Sequence, residues 1–324
     1  MADRRGFFKE LLREVAGIAQ ELNAVVQPVE EPEAWSPPPP VPAQPATAPL
    51  DEEGLLALCR EVGLEKRVDD VRRIVRASVR LTPGGGGRTR LGGLPDVPPD
   101  FAWPTWNGRE LAFLGQVDLE QATAVDPRLP LPRRGLLLFF YDLAERPSGL
   151  SPSHGGSCRA ILVDGDELAT DETRAQALRP QPVELSRELM LPSAWSFHVE
   201  PLELDADELD GWETLRERIA QAQGVELEEQ IPDRLALHRF LGYQDEIGRE
   251  VELDCQLAAA GVDADDVSVY WESRADHEEE ARRWRLLLQL SADDALETPR
   301  EGFERLFICV RDPGELDGAW AVLR

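Results

Sequence analysis

Lysine is nearly missing from this chain of 324 residues, which holds only Lys9 and Lys66. Lys and Arg together number 35 against 62 Asp and Glu, a net charge of −27. Such a surplus of negative charge repels nucleic-acid phosphates and anionic lipid, so neither is expected as a partner. A basic protein partner is compatible with it, and so is simple composition bias toward Ala, Arg, Leu, Asp and Glu. Cysteine is scarce: Cys59, Cys158, Cys255 and Cys309 lie far apart in sequence. That spacing excludes CxxC pairs, zinc-type motifs and a disulfide framework. Reduced, mostly buried thiols in a cytoplasmic protein are the expectation. The four histidines are scattered, so no metal and no cofactor is expected. No apolar run reaches the roughly 20 residues that a membrane span requires. There is no GxSxG and no catalytic cysteine signature, so the sequence discloses no reaction.

Glycine is locally abundant. The stretch TPGGGGRTRLGGLPD (82–96) invites comparison with a phosphate-cradling loop. A Walker loop needs Lys and then Ser or Thr after its last glycine, opening a helix. Here Arg88-Thr89-Arg90 follows, and then Pro95, Pro98 and Pro99, which cannot continue a helix. Gly84–Gly87 reads as a surface connection. Gly92 and Gly93 read as a tight turn beside a packed surface.

The chain begins DRRGFFK (3–9), similar to a twin-arginine export signal, but Glu10, Arg13, Glu14 and Glu21 interrupt the apolar run that such a signal requires. Residues 1–26 instead read as an amphipathic helix. Phe8, Leu11, Leu12, Val15, Ile18, Ala19 and Leu22 recur at three- and four-residue steps, with Phe7 beside them. Nine prolines in 27–49 make an extended spacer. A lone helix of this length is marginal in water. It is therefore expected to dock on a partner through Phe7, Phe8, Leu11, Leu12, Val15 and Ile18, or to self-associate, the alternative being a helix that folds back onto the main domain or frays.

Residues 50–324 read as one domain. Leu55 to Val62 suits a helix stopped by Gly63, Leu64 to about Val75 suits a second, and Ala77–Leu81 alternates as a strand. LAFLGQVDL (111–119) and GLLLFFYD (135–142) are strand candidates, echoed by WRLLLQLS (284–291) and RLFICVRD (305–312). Each pair places one Gln in an apolar strand, Gln116 and Gln289, and closes in Asp, at Asp142 and Asp312. Each is preceded by a Leu-Gly start, Leu91-Gly-Gly and Leu241-Gly-Tyr. This pattern predicts an internal duplication with two repeats. Closely spaced strands without long helical intervals predict α+β, mainly antiparallel sheets with flanking helices, one of them among residues 204–240.

These pieces together resemble the YwqG-like family, bacterial domains of unknown function. The matching segments are Leu91–Asp96 with Trp103-Pro104, Leu111–Leu119, Gly135–Asp142, His238–Tyr243, Glu252–Leu257, Trp284–Ser291, and Arg305–Asp312 with Trp320. The resemblance spans about residues 70–324 and implies a cytosolic α+β protein with paired antiparallel sheets. It carries no reaction and no catalytic residue. Gln244 stands where the family pattern suggests proline.

Candidate binding residues are Gly93, Trp103, Gln116, Asp118, His238, Arg239 and Gln289. A buried Gln in an apolar strand must have its amide bonded, so Gln116 and Gln289 either tie a sheet to a loop or face a shared cleft. His238 with Arg239 and Tyr243 makes a polar pocket or a structural hydrogen bond. Asp118 and Asp142 fit turn caps. Glu252 and Asp254 alternate as on one face of a strand, His154 suits an exposed loop, and His198 and His277 stand alone. Trp103, Trp106, Trp271 and Trp284 line a groove or fill the core. The leading functional expectation is a non-enzymatic binding or adaptor protein. The alternatives are an enzyme with a cleft between the repeats, and an immunity-type protein that binds a basic partner.

Overall fold

The computed structural model describes residues 50–165, 167–224, 238–245, 249–299 and 303–324. The helix expected at 1–26 and the spacer at 27–49 lie outside them. In chain order come helices α1 (Glu52–Glu61) and α2 (Val68–Ile74), then strands β1 (Arg76–Pro83), β2 (Arg90–Leu91), β3 (Asp96–Val97), β4 (Thr105–Trp106), β5 (Arg109–Glu110) and β6 (Ala112–Asp118). Next are α3 (Leu119–Val125), β7 (Leu136–Tyr141), β8 (Cys158–Val163), β9 (Ala169–Thr170), β10 (Gln181–Met190) and α4 (Ala206–Ala222). The chain ends with β11 (His238–Leu241), α5 (Val251–Ala259), α6 (Val267–Ala281), β12 (Arg285–Ser291), β13 (Arg305–Val310) and β14 (Trp320–Leu323).

Ten strands form one antiparallel sheet in the order β14-β13-β12-β11-β1-β10-β2-β6-β7-β8. The sheet curls until its edge strands β8 and β14 touch, so it is nearly closed. Strand alternation divides the apolar residues between two faces. Leu137, Phe139 and Tyr141 of β7 point into the interior with Leu288, Leu290, Ile308, Val310, Ala321 and Leu323. Their neighbours Leu136, Leu138 and Phe140 face outward, under Phe101 and Trp103. On the other half, Phe307 and Cys309 face outward and are covered by Val251 and Cys255 of α5. The mixed, mainly antiparallel class follows from this arrangement.

Helices α1, α2 and α4 pack with Leu189, Leu191 and Tyr243 in a separate cluster around Trp212. Helix α4 starts at a reciprocal cap: Asp205 accepts from the Glu208 N–H, and Glu208 accepts from the Asp205 N–H. Glu208 also receives Arg67, which ties α4 to the segment before α2.

The segment 251–259 corrects the sequence reading. Glu252 and Asp254 lie on helix α5, not on a strand. Residues Val251 to Ala258 are all buried, so no polar face marks the helical period. All four cysteines are free and buried. His154 is half-buried rather than exposed, and its Nδ1 accepts from the Gly149 N–H.

Candidate functional site

Arg90 on β2 lies opposite Gln116 on β6. After β2 the backbone turns through Gly92 (φ +62°) and Gly93 (φ +75°). A Cβ on Gly92 would stand 2.2 Å from the Arg179 carbonyl oxygen, so only glycine fits there. The turn lays Asp96 over Gln116. The Asp96 N–H donates to Gln116 Oε1 at 2.9 Å, and Gln116 Nε2 donates to Asp96 Oδ2 at 3.0 Å and to the Arg88 carbonyl at 2.8 Å. Arg90 Nη2 and Thr170 Oγ1 each donate to Asp96 Oδ1 at 2.8 Å. Burial would raise the Asp96 pKa, but the bonds from Arg90, Gln116 and Thr170 prevail and hold it down at about 2. Thr89, just before Arg90, accepts from the Asp118 N–H and donates to Gln121. Asp118 caps α3 through the Glu120 and Gln121 N–H groups.

A second set has the same connectivity. Arg239 on β11 lies opposite Gln289 on β12. The turn that follows uses Leu241 (φ +65°) and Gly242 (φ +94°). Asp245 then sits over Gln289: its N–H donates to Gln289 Oε1 at 3.3 Å, and Gln289 Nε2 donates to Asp245 Oδ2 at 2.6 Å. Arg239 Nη1 donates to Asp245 Oδ1. His238 takes the place of Thr89. Its Nδ1 accepts from the Ser291 N–H at 3.3 Å, so the ring proton is on Nε2, which is 3.1 Å from Asp293 Oδ2. Both glutamines also follow a register irregularity in their strand, between Phe113 and Gly115 and between Leu286 and Leu288.

The two sets do not share a cleft. In the sheet order, β6 and β12 are five strand spacings apart, roughly 24 Å along the curved sheet at about 4.8 Å per strand. Gly93, Gln116 and Asp118 therefore belong to one end, and His238, Arg239 and Gln289 to the other. Trp103 is with neither: it packs edge-on to Phe140, donates to the Leu111 carbonyl, and has Arg174 over its ring. Trp106 packs in the same cluster, Trp284 packs beside Cys255 and Trp271 beside Tyr270, so the four tryptophans line no common groove.

The second set adjoins a cleft. Arg239 Nε donates to Glu188 Oε2 at 2.8 Å, and Glu188 Oε1 accepts from Arg80 Nε. The cleft has a volume of about 30 Å³, with Glu188, Arg216, Gln223, Arg239, Gln244 and Asp245 on its polar side. Leu189, Leu191, Ile219 and Ala220 form its apolar wall.

Another polar cluster corrects the expectation that His198 stands alone. Its Nε2 bonds Glu252, which also receives Arg76 Nη1 at 2.5 Å, and Arg76 lies over the Tyr243 ring at 3.9 Å. Burial works to raise the Glu252 pKa, but the Arg76 and His198 charges outweigh it and hold the carboxyl at about 2. Glu250, just before it, is pushed up by burial. Among the described residues no group of three or more His, Cys, Asp or Glu is placed to hold a metal ion.

The sequence reading named Gln116, Arg239 and Gln289 but missed their partners Arg90, Asp96 and Asp245. The missed signal is Arg followed six positions later by Asp around each Leu-Gly start: Arg90 to Asp96, and Arg239 to Asp245. No curated protein matches the chain. A family model described as "Domain of unknown function (DUF1963)" matches residues 89–300, and the chain belongs to that family.

Proposed function

We propose that the protein is a non-catalytic binding or adaptor protein of the cytoplasm. Its body is a duplicated, YwqG-like scaffold, and residues 1–26 are the segment that docks on a protein partner. The observation that supports this most is the use made of the polar side chains. In each Arg–Asp–Gln set the glutamine spends its amide on the following turn, and the aspartate spends its carboxylate on the arginine and the glutamine. Groups so engaged hold loops on a sheet and are not themselves free to act as a general base or nucleophile. The matched connectivity, the matched strand irregularities and the matched left-handed turns support the duplication.

The test compares the full chain with a 50–324 truncation. The truncation is expected to keep the melting temperature of the described body and to lose partner recovery in a pull-down. Equal recovery by both would count against the docking segment. A large fall in melting temperature would instead mean that the segment belongs to the core. Loss of the bound partner as ionic strength rises would identify that partner as basic, in keeping with the net charge of −27.

A further inference from the structure

We draw no further inference here: the strongest candidate, the surface patch at Trp195 in the loop between β10 and α4, where the indole is 57 % exposed, carries no proposal because nothing in the structure shows what covers it.

Discussion

At the scale of single residues, Glu250 and Glu252 show how two carboxyls near one another acquire opposite energetics. Glu252 lies against Arg76 and His198, whose charges overcome its burial and keep its folded pKa at about 2, below the ordinary glutamate value of 4.5. A carboxyl with a depressed folded pKa contributes stability above its unfolded pKa, and that contribution is lost as pH falls through the folded value. Glu252→Gln should therefore destabilise the protein by about 3 kcal/mol at pH 7, since it strips Arg76 of its buried counter-charge. The deficit should shrink as pH falls from about 4.5 toward 2. Glu250 is the reverse case. Burial raises its pKa, so its ionised form is a burden at neutral pH. Gln at 250 retains an oxygen for the Phe197 N–H and should leave stability unchanged or raise it by about 1 kcal/mol. Urea midpoints of both variants at pH 7 and pH 4 decide the matter. Equal losses in the two would contradict the assignment. None of this was legible in the sequence: His198 and Glu252 are 54 positions apart, and Arg76 and Glu252 are 176 apart.

At the scale of elements, β10 has one edge paired along most of its length and the other mostly unpaired. It runs along β1 from Val183 to Met190, but β2 reaches it only at Gln181 and Pro182. Gln223, the residue after α4, stands in for the missing strand: its Oε1 accepts from the Leu189 N–H at 2.6 Å, and its Nε2 donates to the Leu189 carbonyl at 3.0 Å. Gln223→Ala leaves both backbone groups without that partner and should cost about 2 kcal/mol. Hydrogen exchange should quicken at Leu189 while Val79, in the interior of the β1 ladder, keeps its rate. Unchanged exchange at Leu189 would show that the side chain is dispensable. Elements of this kind divide by what the sequence reveals. Strands β6, β7, β12 and β13 were legible because apolar runs of six or seven residues bounded by Gly, Asp or Ser have few other readings. Helix α5 was misread because it is buried all round, and Glu252 and Asp254 two positions apart imitate a strand. Strand β10 escaped notice because Pro182, Glu184, Arg187 and Glu188 interrupt its apolar alternation. The glutamines were visible as a repeated pattern, whereas the arginine and aspartate that engage them meet through a turn, which leaves no periodic trace.

At the scale of the whole molecule, the strands at the centre of the sheet are exchanged. Strand β1 precedes β2 in the chain, yet it pairs with β11 and β10. Strand β10 precedes β11, yet it pairs with β2. Under the proposed duplication each half lends its first strand to the other, so neither half can complete its own sheet. The apolar interior has the same property, since Leu137, Phe139 and Tyr141 from one half share it with Leu288, Ile308 and Val310 from the other. A half alone would expose that surface together with an unpaired edge, a condition that favours unfolding or aggregation. Cutting the chain between Ala175 and Gln176, two exposed residues outside any strand, gives fragments 50–175 and 176–324. Each fragment by itself should lack a cooperative thermal transition. Co-expressed, the two should recover as a one-to-one complex that melts in one step, because the β1–β10 ladder and the shared interior join them. A fragment that melts cooperatively as a monomer would mean that the halves are separately stable, and that the exchanged strands are an accessory to the fold rather than its central joint.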